Sequence, residues 1–479
     1  MEAKQITWEV LDAFGWLCRT PHGSGQEAAL CRRLKDRMEN RGYTVRQDAA
    51  GNLWCDLPAS VGAEDCPRTI LQAHVDMVCA VGTPAYMPAH DPIRPVLRDG
   101  WLCTDGESAL GADCGAGLAV MLWLADHPEL PHPPLRLLFT VEEEIGLAGA
   151  CRLSEAAVAE AAFLINLDGF RFGRLVVGAA GGLRERFARP YQTLPAPEGP
   201  AYRIACSGFR GGHSGFDIAE HRANAVLLLA ELLRALRMEA PFALVSFAGG
   251  TAFNAIPFEA QAEIVCTAPA AEAIERIAAD LCARHVQTDP EGRITVTQIE
   301  RPASALDGNA ASGLLTALGG FVDGVYAMHA EAPGAVSDSS NLGRVWMADG
   351  ALHIDAMLRC MDGAAEQALH QSHAAVCGMC GFTGEIHSRY PAWPAKSQSA
   401  LAERLAQAYA RHTGQTAEIT VQHVGLEPSY FVEKNPDLSC VCIGMELQNC
   451  HSPQERWRTD TIAPFVRMLA DALAGLAAG

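Results

Sequence analysis

The fold class this sequence predicts is α/β: a mainly parallel sheet with flanking helices, plus an inserted α+β lid domain. Three observations predict it. Short apolar runs at 69–75, 135–141 and 162–168, with a fourth at 439–444, each stop at or near acidic or imidazole residues. Segments with helical spacing alternate with these runs, as α/β units require. The middle of the chain then changes character after a Pro-rich connector, YQTLPAPEGP at 191–200.

Taken in order, residues 26–41 place apolar side chains at helical spacing and end near Gly42. The run at 69–75 is a buried strand, and 115–126 is the helix that follows it. The runs at 135–141 and 162–168 are the next strands. Within the changed region, 223–237 reads as an amphipathic helix, 270–285 as a second helix and 352–359 as a strand. The run at 439–444 returns to the pattern of the first part. These shifts divide the chain into one domain made of 1–183 and 389–479 and an insert at 184–388. The return point is Tyr390-Pro391-Ala392-Trp393-Pro394. The apolar stripe between Leu227 and Leu236 is expected to serve packing inside that insert.

Composition narrows the function. A formal net charge of -19 disfavours nucleic acid and anionic membranes as partners and suits a small-molecule substrate. No apolar run is long enough to span a bilayer, and the first residues lack a basic then apolar signal pattern. The 17 cysteines are scattered, which implies reduced thiols and a cytoplasmic location. The Cys377/Cys380 pair is expected to be two core thiols.

Polar groups just beyond strand ends are where open α/β sheets place their sites. His74 and Asp76 follow one strand, with Asp76 in position to orient the His74 ring. Glycines surround Asp113 in GADCGAG and allow close approach of backbone to an ion. Glu142, Glu143 and Glu144 are adjacent carboxylates that repel one another unless cations neutralise them. Asp168 ends a strand, and His451 sits in NCHSP. Two imidazoles and three carboxylates are the donor set of zinc, manganese or cobalt. If one carboxylate bridges, two metals each gain three ligands, the composition of a two-metal hydrolase.

The segments QAHVDMVC (72–79), ALGADCGAGLA (109–119), TVEEEIGLAGA (140–150), FLINLD (163–168), GFRGGHSG (208–215), GGTAFNAIP (249–257), QHVGLEPSYF (422–431) and NCHSPQE (449–455) resemble those of aminoacyl-histidine dipeptidases. That family is a branch of the zinc-dependent aminoacylase and exopeptidase clan. The resemblance implies a zinc-peptidase fold and a metal-dependent hydrolase of Xaa-His dipeptides such as β-Ala-His. It implies two divalent ions, zinc or else manganese or cobalt. His74, Asp113 and Asp168 would hold one, and Asp113, Glu144 and His451 the other. It makes Glu143 the general base and Asp76 the partner of His74. It makes His213 an oxyanion donor, in dimeric members from the partner subunit. Asn254 and Arg359 would contact substrate, Arg359 through its C-terminal carboxylate. A small peptide substrate and a homodimer are implied as well. Cys114, Glu142, Ser429 and Gln454 depart from the family pattern and put substrate and metal preference in question. Within the clan, an N-acyl-amino-acid deacylase or a tripeptidase is the alternative. A metal-binding protein without catalysis has no use for the free carboxylate of Glu143.

Overall fold

The computed structural model describes residues 1–396 and 399–478. Its contacts divide the chain into two compact units. One comprises Met1–Ala179, Trp393–Val421 and Gly425–Gly479; the other comprises Ala180–Ala392 and Gln422–Val424. Among the described residues, no helix is long and apolar enough to cross a membrane.

The first unit is built on an eight-stranded mixed sheet. Its middle is parallel: Leu135–Thr140, Arg68–His74, Ala161–Gly169 and Ser439–Gly444 lie side by side. These are the four apolar runs of the sequence, and they read as continuous hydrophobic stretches because helices cover a parallel sheet. Antiparallel strands flank them, Leu53–Leu57 on one side and Arg174–Ala179 on the other. The helix Ala112–Ala125 is buried along its whole length, as its uniformly apolar composition demands. Asp113 and Cys114 have non-helical backbone angles, and the peptide between them is cis, so regular helix begins at Gly115. Gly117 allows this helix to approach the strand Ala161–Gly169 closely. A Cβ there would lie 2.7 Å from the Leu167 carbonyl oxygen. That contact brings the start of the helix to the end of the strand.

The second unit carries a nine-stranded sheet in which every described pairing is antiparallel. The helices Ala225–Glu239, Ala271–Arg284 and Gly308–Gly320 share one core with it, and Leu228, Leu229, Leu232, Leu233 and Leu236 face that core. The Leu227–Leu236 stripe is therefore packing. Cys377 and Cys380 are buried and unpaired. The strand expected at 352–359 is Ala351–Cys360, paired with Val336–Ala348 and Gly181–Pro190.

Candidate metal centre

Within the first unit, the ends of the parallel strands converge. His74 is the last residue of its strand, Asp168 the penultimate residue of the next, and Glu142–Glu144 follow a third directly. The loop after the fourth strand carries His451. Asp113 comes from the start of the buried helix. His74, Asp113 and Asp168 are buried, whereas the side chain of His451 is 48% exposed and opens the centre to solvent.

Asp113 lies in the middle. Its Oδ1 is 3.2 Å from Nε2 of His74, and its Oδ2 is 2.9 Å from Nε2 of His451. Nε2 of His451 is also 2.9 Å from Glu144 Oε1, and Nε2 of His74 is 3.4 Å from Asp168 Oδ1. These two carboxylate oxygens are buried and make no hydrogen bond. Each faces an imidazole nitrogen without hydrogen-bond alignment, so four donor groups converge in two places around one shared carboxylate. Ligand atoms of His74, Asp113 and Glu144 all lie within 4.8 Å of one another, and so do those of His74, Cys114 and Asp168. The Cys114 thiol, however, donates to the Leu167 carbonyl at 3.4 Å.

The electrostatics fit divalent cations. Buried carboxylates outnumber the two imidazoles, and burial of uncompensated charge is costly. Burial lifts Asp168 to about 7 and Glu143 well above the usual carboxylate range. Burial opposes ionisation of Asp113 too, but hydrogen bonds from His451 and His74 outweigh it and hold that carboxyl below the usual range. His451 is raised to about 10 by its bond to Asp113 and by the Glu144 carboxylate beside it. Burial disfavours charge on His74, yet the Asp168 charge and the bond to Asp113 leave it well above its ordinary value. The imidazoles and carboxylates thus keep protons where positive charge is needed. Metal ions supply that charge while leaving the imidazoles neutral and the carboxylates ionised.

Asp76 reaches His74 chiefly through its main chain. Nδ1 of His74 is 2.9 Å from the Asp76 carbonyl oxygen and 3.6 Å from Asp76 Oδ1. The strand ends at His74, so the alternation that would set both side chains on one face does not extend to Asp76. Its carboxylate instead accepts the amides of Glu143 (3.0 Å) and Glu144 (3.2 Å) and the hydroxyl of Ser24 (2.8 Å). Of the three adjacent glutamates, Glu142 turns away and pairs with Arg152.

Several buried residues that the sequence reading passed over support the centre. Gln72 and Asn166 stand two residues before His74 and Asp168 and face one another across the sheet. Asn166 Nδ2 donates to Gln72 Oε1 at 2.6 Å. Gln72 Nε2 and Thr140 Oγ1 donate to Glu427 at 2.5 and 2.9 Å. Glu427 is fully buried, and its carboxyl is raised to about 8, mainly by burial. Glu455 accepts the amides of Gly111 (2.8 Å) and Asp113 (3.1 Å), fixing the loop that carries Asp113. The strand period of two places Gln72 and Asn166 on the ligand face; nothing local signals the partners of Glu427 and Glu455.

The second unit holds the remaining candidates. Arg359 is 4% exposed, with no carboxylate paired to it among the described residues. Its Nε donates to Ser214 Oγ at 3.1 Å and its Nη1 to Tyr390 Oη at 2.8 Å; Nη2 is 3.4 Å from His213 Nε2. The amides of Gly215 and Phe216 donate to His213 Nδ1 at 3.1 and 3.3 Å. The proton of the neutral ring is therefore on Nε2. Burial and the neighbouring guanidinium depress His213 to about 4. Asn254 adjoins it, its carbonyl accepting the Ser214 amide at 2.9 Å, beside the short ladder that pairs His213 with Ala255. His423, which the sequence reading left without a role, is buried with Nε2 2.6 Å from Ser339 Oγ.

A model of peptidase family M20/M25/M40 matches residues 70–475, which is most of the chain. The chain belongs to this family. Among M20/M25/M40 proteins it is similar to a cytosol non-specific dipeptidase of Escherichia coli (strain K12), 28% identical and covering 98% of each chain. It is similar in structure to an aminoacylhistidine dipeptidase from Vibrio alginolyticus, with a TM-score of 0.89 and 27% identity over 98% of this chain and 96% of the other. A Staphylococcus aureus tripeptidase shares the fold at a TM-score of 0.57 and 18% identity, over 99% of each chain. The M20/M25/M40 fold thus accounts for the α/β sheet with flanking helices expected from the sequence. That sheet, expected to be mainly parallel, is mixed: parallel in its middle and antiparallel toward its edges.

Proposed function

We propose that this M20/M25/M40 chain is a metal-dependent dipeptidase acting on Xaa-His dipeptides. The observation that carries the reading is the shared carboxylate of Asp113, whose two oxygens face His74 and His451 separately. In this reading His74, Asp113 and Asp168 hold one divalent ion, and Asp113, Glu144 and His451 the other, with zinc preferred to manganese or cobalt. Bound there, such ions acidify water and polarise a carbonyl.

The chain's own residues do the rest. Glu143, whose amide is held by Asp76, takes the proton from the attacking water and returns it to the leaving amine. Burial raises its proton affinity well above that of an ordinary carboxylate, in the direction that a base which must also act as an acid requires. His213, neutral with its proton on Nε2, is read as the donor to the oxyanion. Arg359 is read as the clamp for the C-terminal carboxylate. A guanidinium has five N–H donors; one on Nε is directed at Ser214 and one on Nη1 at Tyr390. The protonated Nε2 of His213 cannot accept from Nη2, which leaves at least one N–H on each terminal nitrogen. Two such donors match a carboxylate fork. Asn254 would contact the substrate beside His213.

Sequence similarity to dipeptidases, 28% and 27% identical over 98% of this chain, supports dipeptides as the substrate class, whereas the sequence match to a peptidase T of Exiguobacterium covers 33% of it. The reading includes an inserted lid, a homodimer and a cytoplasmic location. The strand Thr383–Tyr390 stands at the edge of its sheet and is exposed from 383 to 389, the kind of strand that pairs between subunits. The test is hydrolysis of β-Ala-His and a set of L-Xaa-His dipeptides by metal-depleted protein, before and after zinc, manganese or cobalt is added. Metal-dependent release of histidine is the expected result. Cleavage of N-acetyl amino acids or tripeptides alone would move the protein to another branch of the family.

A further inference from the structure

The loop that carries Glu143 is held by side chains from elsewhere in the chain. Its three successive amides all end on carboxylates. Glu142 N donates to Glu27 Oε1 at 3.0 Å, Glu143 N to Asp76 Oδ1 at 3.0 Å, and Glu144 N to Asp76 Oδ2 at 3.2 Å. The carbonyls of Glu142 and Glu143 accept the amides of Ala148 and Leu147 at 2.9 and 2.7 Å. Glu142 has a φ of 53°, which turns the loop so that its amides converge while the side chains of Glu143 and Glu144 are free for other work. Oriented amides in such a turn form a concavity for anions; here two of the protein's own carboxylates fill it.

Glu27 is the remote member of this arrangement. It lies 115 residues before Glu142, ahead of the helix Ala28–Glu39, and is 5% exposed. Only one of its oxygens is used: Oε2 is buried without a hydrogen bond. Ser24, three residues earlier, donates to Asp76 Oδ2, so the same turn of chain supports both carboxylates. We propose that Glu27 is a positioning residue, which sets the placement of Glu143 by accepting the Glu142 amide and needs no charge to do so. The proposal rests on the reading of Glu143 as the general base.

The requirement for an acceptor without charge separates two variants. Glu27→Gln keeps an oxygen where Oε1 stands, whereas Glu27→Ala removes it. A displacement of about 1 Å at a reacting group lowers rate by roughly 100-fold. The expected result for Glu27→Ala is a kcat at least about tenfold lower, with KM and metal content unchanged. Glu27→Gln is expected to stay within roughly threefold of the parent. Backbone hydrogen exchange across 142–147 gives a second readout that does not depend on any substrate. It should quicken in Glu27→Ala and return to the parental rate in Glu27→Gln. Unchanged exchange in Glu27→Ala would overturn the proposal. So would faster exchange at full kcat, or equal impairment of the two variants. If the parent itself cleaves no Xaa-His dipeptide, the dipeptidase reading fails, and the exchange result still decides whether Glu27 holds the loop.

Discussion

Replacing Arg359 by methionine separates recognition from stability. The guanidinium is buried with no carboxylate paired to it among the described residues, and it retains at least one unassigned N–H on each terminal nitrogen. Two charge-assisted hydrogen bonds to a substrate carboxylate are together worth about 3 kcal/mol or more. Their loss lowers kcat/KM roughly 100-fold or more at about 1.4 kcal/mol per decade. The effect on folding is small because two terms oppose. Removing a buried uncompensated cation relieves a desolvation penalty. Against this, Ser214 Oγ loses its partner, at a cost of about 1–3 kcal/mol. The assay compares β-Ala-His with its C-terminal amide for parent and Arg359→Met, alongside urea unfolding midpoints. The parent should prefer the acid strongly, and the variant should cleave the two nearly alike, with a similar midpoint. If Arg359→Met still prefers the acid as strongly as the parent does, the clamp reading is wrong.

Other consequences can be measured directly. Glu143→Gln should lower kcat by roughly 100- to 10,000-fold while the protein keeps its full metal complement by elemental analysis; retention of activity would remove Glu143 from the reaction. Asp113→Asn should sharply reduce bound metal at both positions, because one oxygen from this side chain faces each imidazole; normal occupancy at both would argue against bridging. Chelated protein should become less stable as pH rises. Asp168, raised to about 7, keeps its proton when folded but loses it near 3.8 when unfolded, so stability falls between those values. His451, raised to about 10 from 6.5, contributes stability that is complete below 6.5 and lost as pH rises through 10. The lowered carboxyls of Asp113 and Asp76 act only below the usual carboxylate range and do not offset this trend. The depressed imidazoles of His22, His213 and His423 add stability as pH rises only up to about 6.5. Urea midpoints of metal-free protein should therefore decline between pH 7 and 9, and a flat or rising series there would contradict the site electrostatics.

Much of this protein is legible in local sequence. The four parallel strands announce themselves as short apolar runs because burial on both faces demands continuous hydrophobicity. The candidate metal-binding residues stand just beyond them, where an open α/β sheet leaves room for a site. Regular helix from Gly115 and the packing role of the Leu227–Leu236 stripe follow from composition and spacing alone. Tertiary structure decided the partnerships. Asp113 meets His451 across 338 residues of chain, and Gln72 meets Glu427 across 355. The Asp76 carboxylate serves the glutamate loop before the His74 ring, since the strand stops two residues short of Asp76 and alternation cannot link the two side chains. Glu27 and Glu455 look like ordinary surface glutamates in the sequence. They are buried because backbone amides of distant loops require acceptors, and that requirement exists only once the chain has folded.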